Sequence, residues 1–111
     1  METTPQNIPE AIDWLRKASR PELASGLRSI YQVDLTGPAG GSFWVRIDDG
    51  RLSSGEGSTP QPDLVMCLAA SDFYDVLGGR ANPELLFMEN KVDVRGPLSL
   101  ALKLRALFLS A

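Results

Sequence analysis

Apolar residues first recur at helical spacing. Ile8, Ala11, Ile12, Leu15 and Ala18 fall on one side of a helix, and Trp14 widens that stripe. Asn7, with Pro9 and Glu10 behind it, supplies the cap and the acidic third position of a helix start. Ser19, Pro21 and Glu22 form a second capping signature, which opens only a short turn because Gly26 follows. From Leu27 the period drops to two. Tyr31, Val33 and Leu35 alternate with Gln32, Asp34 and Thr36, then Phe43, Val45 and Ile47 with Trp44, Arg46 and Asp48. Two half-buried strands follow from this, separated by a Gly-rich turn over residues 37–41. Asp48-Asp49-Gly50 is a hairpin turn signal, because Asp and Gly tolerate positive φ, and a third, weaker strand runs from Arg51 toward Gly55. Residues 56–62 are polar and turn-rich, an exposed loop. Residues 64–69 are a continuous apolar run of strand length, expected to be covered on both faces.

The second half turns helical. Ser71 is placed to cap a helix over residues 72–77, with Phe73, Val76 and Leu77 on one face and Gly78-Gly79 as the stop. Asn82-Pro83-Glu84 starts another short helix through Leu85, Leu86, Phe87 and Met88. Lys91 to Arg95 alternates as a last strand, and Gly96-Pro97 opens a final helix over residues 98–109. Helix, hairpin-rich sheet, two short helices, strand and helix make an α+β order. The expected organisation is a loose N-terminus over residues 1–6 and a single domain over residues 7–111.

The final helix departs from the usual surface pattern. Lys103 and Arg105 project from nearly opposite sides, and Leu, Ala and Phe108 fill almost everything else. Such a helix needs a second apolar neighbour besides the sheet: another helix, a second subunit or a bound lipid. The two short helices before it are weakly held and can part to admit an apolar guest, and Met88 offers an adaptable side chain.

Composition narrows the chemistry. The 111 residues carry 11 Lys and Arg against 14 Asp and Glu, a net charge of −3, with no histidine and one cysteine, Cys67. Catalysis by Ser-His-Asp or Cys-His is therefore excluded, as are a structural Cys/His zinc site and an internal disulfide. The acidic balance gives no reason to expect nucleic acid. The N-terminal residues lack the apolar core of a signal peptide, and no run is long enough for stable membrane insertion, so a cytoplasmic location is expected. Asp48-Asp49-Gly50 lacks the spaced ligands of a calcium loop, and neither glycine pair fits a phosphate-cradling motif. Cys67 lies in the most apolar strand, where burial makes a thiol unreactive. No catalytic constellation emerges, and neither a metal nor a cofactor is expected.

The run from Phe43 to Phe108 resembles the sterol carrier protein type 2 (sterol transfer) domain family. The matching pieces are, in order, Trp44-Val45-Arg46-Ile47-Asp48-Asp49-Gly50, Asp63-Leu64-Val65-Met66, Ser71-Asp72-Phe73 and Gly78-Gly79. Asn82-Pro83 with Phe87, Asn90-Lys91-Val92-Asp93-Val94-Arg95-Gly96, and the Leu-rich terminal helix complete the series. Asn90 stands where the family usually has glycine, and Asn is the next-best residue for positive φ. Pro97 stands where a polar residue is common and still suits a first helical turn.

The resemblance implies a five-stranded, mostly antiparallel sheet covered by helices, with an apolar tunnel between the layers that holds fatty acyl, sterol-like or other lipid. It implies no catalytic residues. The expected tunnel wall is Phe43, Val45 and Ile47 from the sheet, with Phe73, Leu77, Phe87, Met88, Leu104, Leu107 and Phe108 from the helices. Two further roles stay open: an accessory factor presenting prenylated lipid in quinone or isoprenoid-lipid biosynthesis, and a module dimerising through its apolar helix.

Overall fold

A computed structural model describes residues 4–18 and 26–109, and side chains to Leu107. The first helix, α1 (Ile8–Ala18), starts as its sequence dictates. Asn7 Oδ1 accepts from Glu10 N at 2.9 Å, and Glu10 Oε1 accepts from Gln6 N at 3.1 Å, a reciprocal cap. Ile8, Ala11 and Leu15 are its buried stripe. On its outer side Lys17 and Arg16 pair with Asp13 and hold that carboxyl below the usual range. Within the stretch expected to be loose, Pro5 is buried and Thr4 packs so closely on Gly78 that a side chain there would collide with it. The capping signature at Ser19 and Glu22 lies outside the described residues.

Strands β1 (Arg28–Thr36), β2 (Gly41–Asp48), β3 (Arg51–Glu56), β4 (Leu64–Ala69) and β5 (Val92–Arg95) form one sheet in the order β3-β2-β1-β4-β5. Its ladders are antiparallel except for β1 and β4, which run parallel with Tyr31 beside Leu64 and Val33 beside Met66. Asp49 (φ 50°) and Gly50 (φ 90°) make the tight β2–β3 turn that their sequence called for.

The pleat sends Tyr31, Val33, Leu35, Phe43, Val45, Ile47, Leu64 and Leu68 into one core under the helices. The other sheet face is largely polar. There Gln32 donates to Asp34 and Gly57 and accepts from Thr59 N at 2.8 Å, which anchors the loop before β4. The expectation that β4 is covered on both faces does not hold. Leu64 and Leu68 are buried, whereas Val65 and Cys67 are only half-buried. Beside them in the sheet stand Gln32, Asp34, Asp93 and Arg95 of the neighbouring strands.

Helix α2 (Ala70–Leu77) grows straight out of β4. Its cap is Ala69, with no side-chain hydrogen bond, so Ser71 does not cap it but sits exposed in the first turn. Gly78 and Gly79 (φ 78°) end it as expected. Helix α3 (Pro83–Met88) is capped by Asn82, whose Oδ1 accepts from Glu84 N at 2.9 Å. Asn90 takes φ 60°, the left-handed conformation anticipated for it, before β5. Helix α4 (Leu98–Leu109) closes the layer beside α1, with Leu107 buried and Leu100 and Leu104 against the core.

Candidate functional site

Two sets of elements hold a cavity between them. The floor is the parallel pair β1–β4 with its antiparallel neighbour β5, giving Tyr31, Val33, Met66, Leu68, Val92 and Val94. The roof comes from α2, α3 and α4, and Leu15 of α1 and Val45 of β2 join the lining. The cavity has a volume of about 360 Å³, within the usual range of small-molecule sites. Among the described residues its wall is apolar except for three side chains: Tyr31 on the floor, and Glu84 and Arg105 on the helices.

Specific contacts fix the roof. Phe73 on α2 packs against Phe43, with ring centroids 5.8 Å apart, and Tyr74 donates its hydroxyl proton to Ala39 O at 2.6 Å. These tie α2 to the β1–β2 turn and to the β2 strand that follows it. Helices α3 and α4 are joined instead by an ion pair, Glu84 Oε1 to Arg105 Nη2 at 2.6 Å, between half-exposed side chains. Tyr31 is fully buried, and its hydroxyl has no hydrogen-bond partner among the described residues. Burial pushes its pKa up; the nearby Ser29 hydroxyl opposes that rise and the Asp63 charge adds to it.

Of the residues expected in the tunnel wall, Val45, Phe73, Leu77, Phe87, Met88 and Leu104 line this cavity. Phe43, Ile47 and Leu107 do not. They are fully buried in the core, where Phe43 packs against Phe73 of α2. The Phe108 side chain lies outside the described residues. Sequence reasoning missed the floor contributed by Met66, Leu68, Val92 and Val94. Alternation marks an inward face for Val92 and Val94, the continuous apolar run of β4 marks none for Met66 and Leu68, and only the β1–β4 and β4–β5 pairings bring all four under the helices. It also missed Glu84 and Arg105, whose meeting has no local signature.

A mixed five-stranded sheet roofed on one face by helices, with an apolar cavity between the layers, makes an α+β domain with room for an apolar guest. The chain belongs to the SCP-2 sterol transfer family, whose model matches residues 10–109.

Among curated proteins it is 29% identical over 98 residues to hydroxysteroid dehydrogenase-like protein 2 of Danio rerio, a match covering 87% of this chain and 24% of that protein. The chain thus spans about a quarter of the length of such relatives.

Solved structures share the fold. The palmitated SCP2L2 of Aedes aegypti superposes with a TM-score of 0.74 at 16% identity, covering 94% of this chain and 96% of that one. The sec-alkylsulfatase Pisa1 from Pseudomonas sp. gives 0.79 at 14% identity, over 91% of this chain and 16% of the enzyme. The UbiJ-SCP2 ubiquinone synthesis protein gives 0.59 at 16% identity, over 78% and 72%.

Proposed function

We propose that the chain is a non-catalytic carrier that sequesters the apolar part of a lipid between α2–α4 and the β1–β4–β5 floor. The carrying observation is the wall itself: a cavity of about 360 Å³ whose only charged lining groups among the described residues, Glu84 and Arg105, are paired with each other. Each methylene moved from water into such a wall gains about 0.8 kcal/mol, and that gain is non-directional. A saturated acyl chain, a sterol-like ring system and a polyprenyl tail are therefore all admissible, and shape selects among them. The palmitate in the Aedes aegypti relative supports an acyl guest.

Native mass spectrometry before and after delipidation, followed by titration with a fluorescent fatty acid, tests the reading. A delipidated monomer that takes up one probe molecule upholds it. One that takes up none overturns it.

A second reading rests on the likeness to the UbiJ-SCP2 ubiquinone synthesis protein. In it the cargo is a prenylated ring compound presented to partner enzymes. The lipid that copurifies separates the two: an acyl chain favours the first, a polyprenyl quinone precursor the second.

A further inference from the structure

Tyr31 stands on the central strand β1, between β2 and β4, and its side chain lines the cavity floor. It is fully buried, at 0% exposure. Among the described residues its hydroxyl is the one buried side-chain polar atom without a hydrogen-bond partner. The contrast is Tyr74, the buried tyrosine of α2, which hands its proton to Ala39 O at 2.6 Å. A buried hydroxyl with no partner has given up its bonds to water for nothing, and phenylalanine would fill the same space without that loss. In an empty chain Tyr31 is the wrong residue for its position.

The sheet around Tyr31 does not supply what is missing. Its cross-strand neighbours are Val45 on β2 and Leu64 on β4, and neither side chain can accept a hydrogen bond. Ser29 lies two residues earlier on β1, also buried, and close enough to oppose the rise in the Tyr31 pKa, yet it leaves the hydroxyl unsatisfied. The remaining neighbour is the cavity, and so the partner is a part of the guest.

Nearby charge narrows what that part can be. The Asp63 carboxylate is fixed beside β1, where its Oδ2 accepts from Ile30 N at 2.7 Å, and its charge is felt at the Tyr31 hydroxyl. A carboxylate or phosphate brought to the floor would face that charge. The one cation lining the cavity among the described residues, Arg105, belongs to the roof and is already matched by Glu84. An uncharged hydroxyl or carbonyl oxygen meets neither obstacle, and a phenol can donate to either.

We infer that Tyr31 is a specificity-determining residue whose hydroxyl bonds an uncharged oxygen, a hydroxyl or a carbonyl, on the inner end of a guest that lies in the cavity oxygen-first. The inference rests on the carrier reading and names, among the guests that shape admits, the chemical class that the floor favours. A site holding a polar group to be matched rejects an analogue that lacks the matching atom more sharply than an apolar wall separates guests by size. The same hydroxyl that weakens the empty chain then steadies the loaded one.

The test is displacement of a bound fluorescent fatty acid by hexadecanol and by hexadecane, which differ in one oxygen, from the parent and from Tyr31→Phe. The ratio of alcohol to alkane affinity is expected to be roughly tenfold lower in the variant. A second measurement needs no variant. In the parent loaded with hexadecanol labelled at its carbinol carbon, nuclear magnetic resonance should find that carbon shielded from a water-soluble paramagnet.

An equal affinity ratio in the two proteins overturns the inference, as does a carbinol carbon open to the paramagnet. So does a parent that holds the fatty acid and refuses the alcohol. Each of these leaves the carrier reading standing. A parent that takes up neither probe overturns both.

Discussion

Arg105 meets Glu84 at 2.6 Å, so that α4 is held to α3 at the cavity by a contact between two half-exposed side chains. Pairs so placed contribute about 0.2–1 kcal/mol, because water already solvates both partners and salt screens them. A bond of that size holds a roof closed on average and lets it open thermally.

Replacing Glu84 by Gln should therefore leave the unfolding free energy within about 1 kcal/mol of the parent. It should also speed release of a bound fluorescent fatty acid, measured by stopped-flow transfer to acceptor vesicles. High salt should accelerate the parent toward the variant. If the variant and the parent release at the same rate, the pair does not gate the cavity.

Leu104→Glu places a carboxylate in an apolar stretch of wall, where it either loses its hydration or drags water into the cavity. Uptake should fall by roughly a hundredfold, whereas Leu104→Met, a volume-conserving change, should retain it. Fluorescence titration measures both, with circular dichroism as the control for folding. Normal uptake by a folded Leu104→Glu protein would remove Leu104 from the wall.

Tyr31→Phe removes an unpartnered buried hydroxyl without changing the shape of the floor. Stability at neutral pH should be unchanged or higher by about 1 kcal/mol. The alkaline side carries a second signature. Burial raises the Tyr31 pKa, so above about pH 10 the folded chain keeps a proton that the unfolded chain has lost, and stability falls as pH rises. Tyr74 is raised by burial as well and contributes in the same direction. Urea unfolding near pH 8 and near pH 11 should show a shallower decline for Tyr31→Phe than for the parent.

Gly96 turns the chain from β5 into α4 with φ 128°, and a Cβ there would sit 2.7 Å from the Asp63 carbonyl oxygen. Strain and backbone collision together should make Gly96→Ala cost about 2 kcal/mol or more. Gly79 also has positive φ, at 78°, but open space around it, so Gly79→Ala should cost nearer 1 kcal/mol. Thermal unfolding ranks the two, and the reverse order would contradict this account of the β5–α4 corner.

Local features were legible in the sequence. The Asn7–Glu10 cap, the Asp49-Gly50 turn, Asn82 ahead of Pro83 and the inward alternation of β1 and β2 are each decided within a few residues. What escaped was partnership. Alternation says that Phe43, Ile47 and Val94 face inward, but not which of them lie beside the cavity and which in the closed core. That is settled by the parallel pairing of Tyr31 with Leu64, a contact between strands distant in the chain. Ser71 misled because a capping residue type is helpful only where a cap is needed, and α2 starts from strand backbone at Ala69. The family resemblance rightly implied the sheet, yet its expected wall included side chains that the core consumes.

The parallel β1–β4 pairing also fixes when the cavity can exist. The β2–β3 hairpin and its contact with β1 are local and can assemble early, whereas β4 must wait for the intervening loop to close and β5 for α2 and α3. The last of the wall, Leu98 to Arg105, is translated after everything it covers. The β1–β2–β3 half of the sheet thus precedes the apolar floor and the roof above it, and the cavity is the last feature of the fold to form.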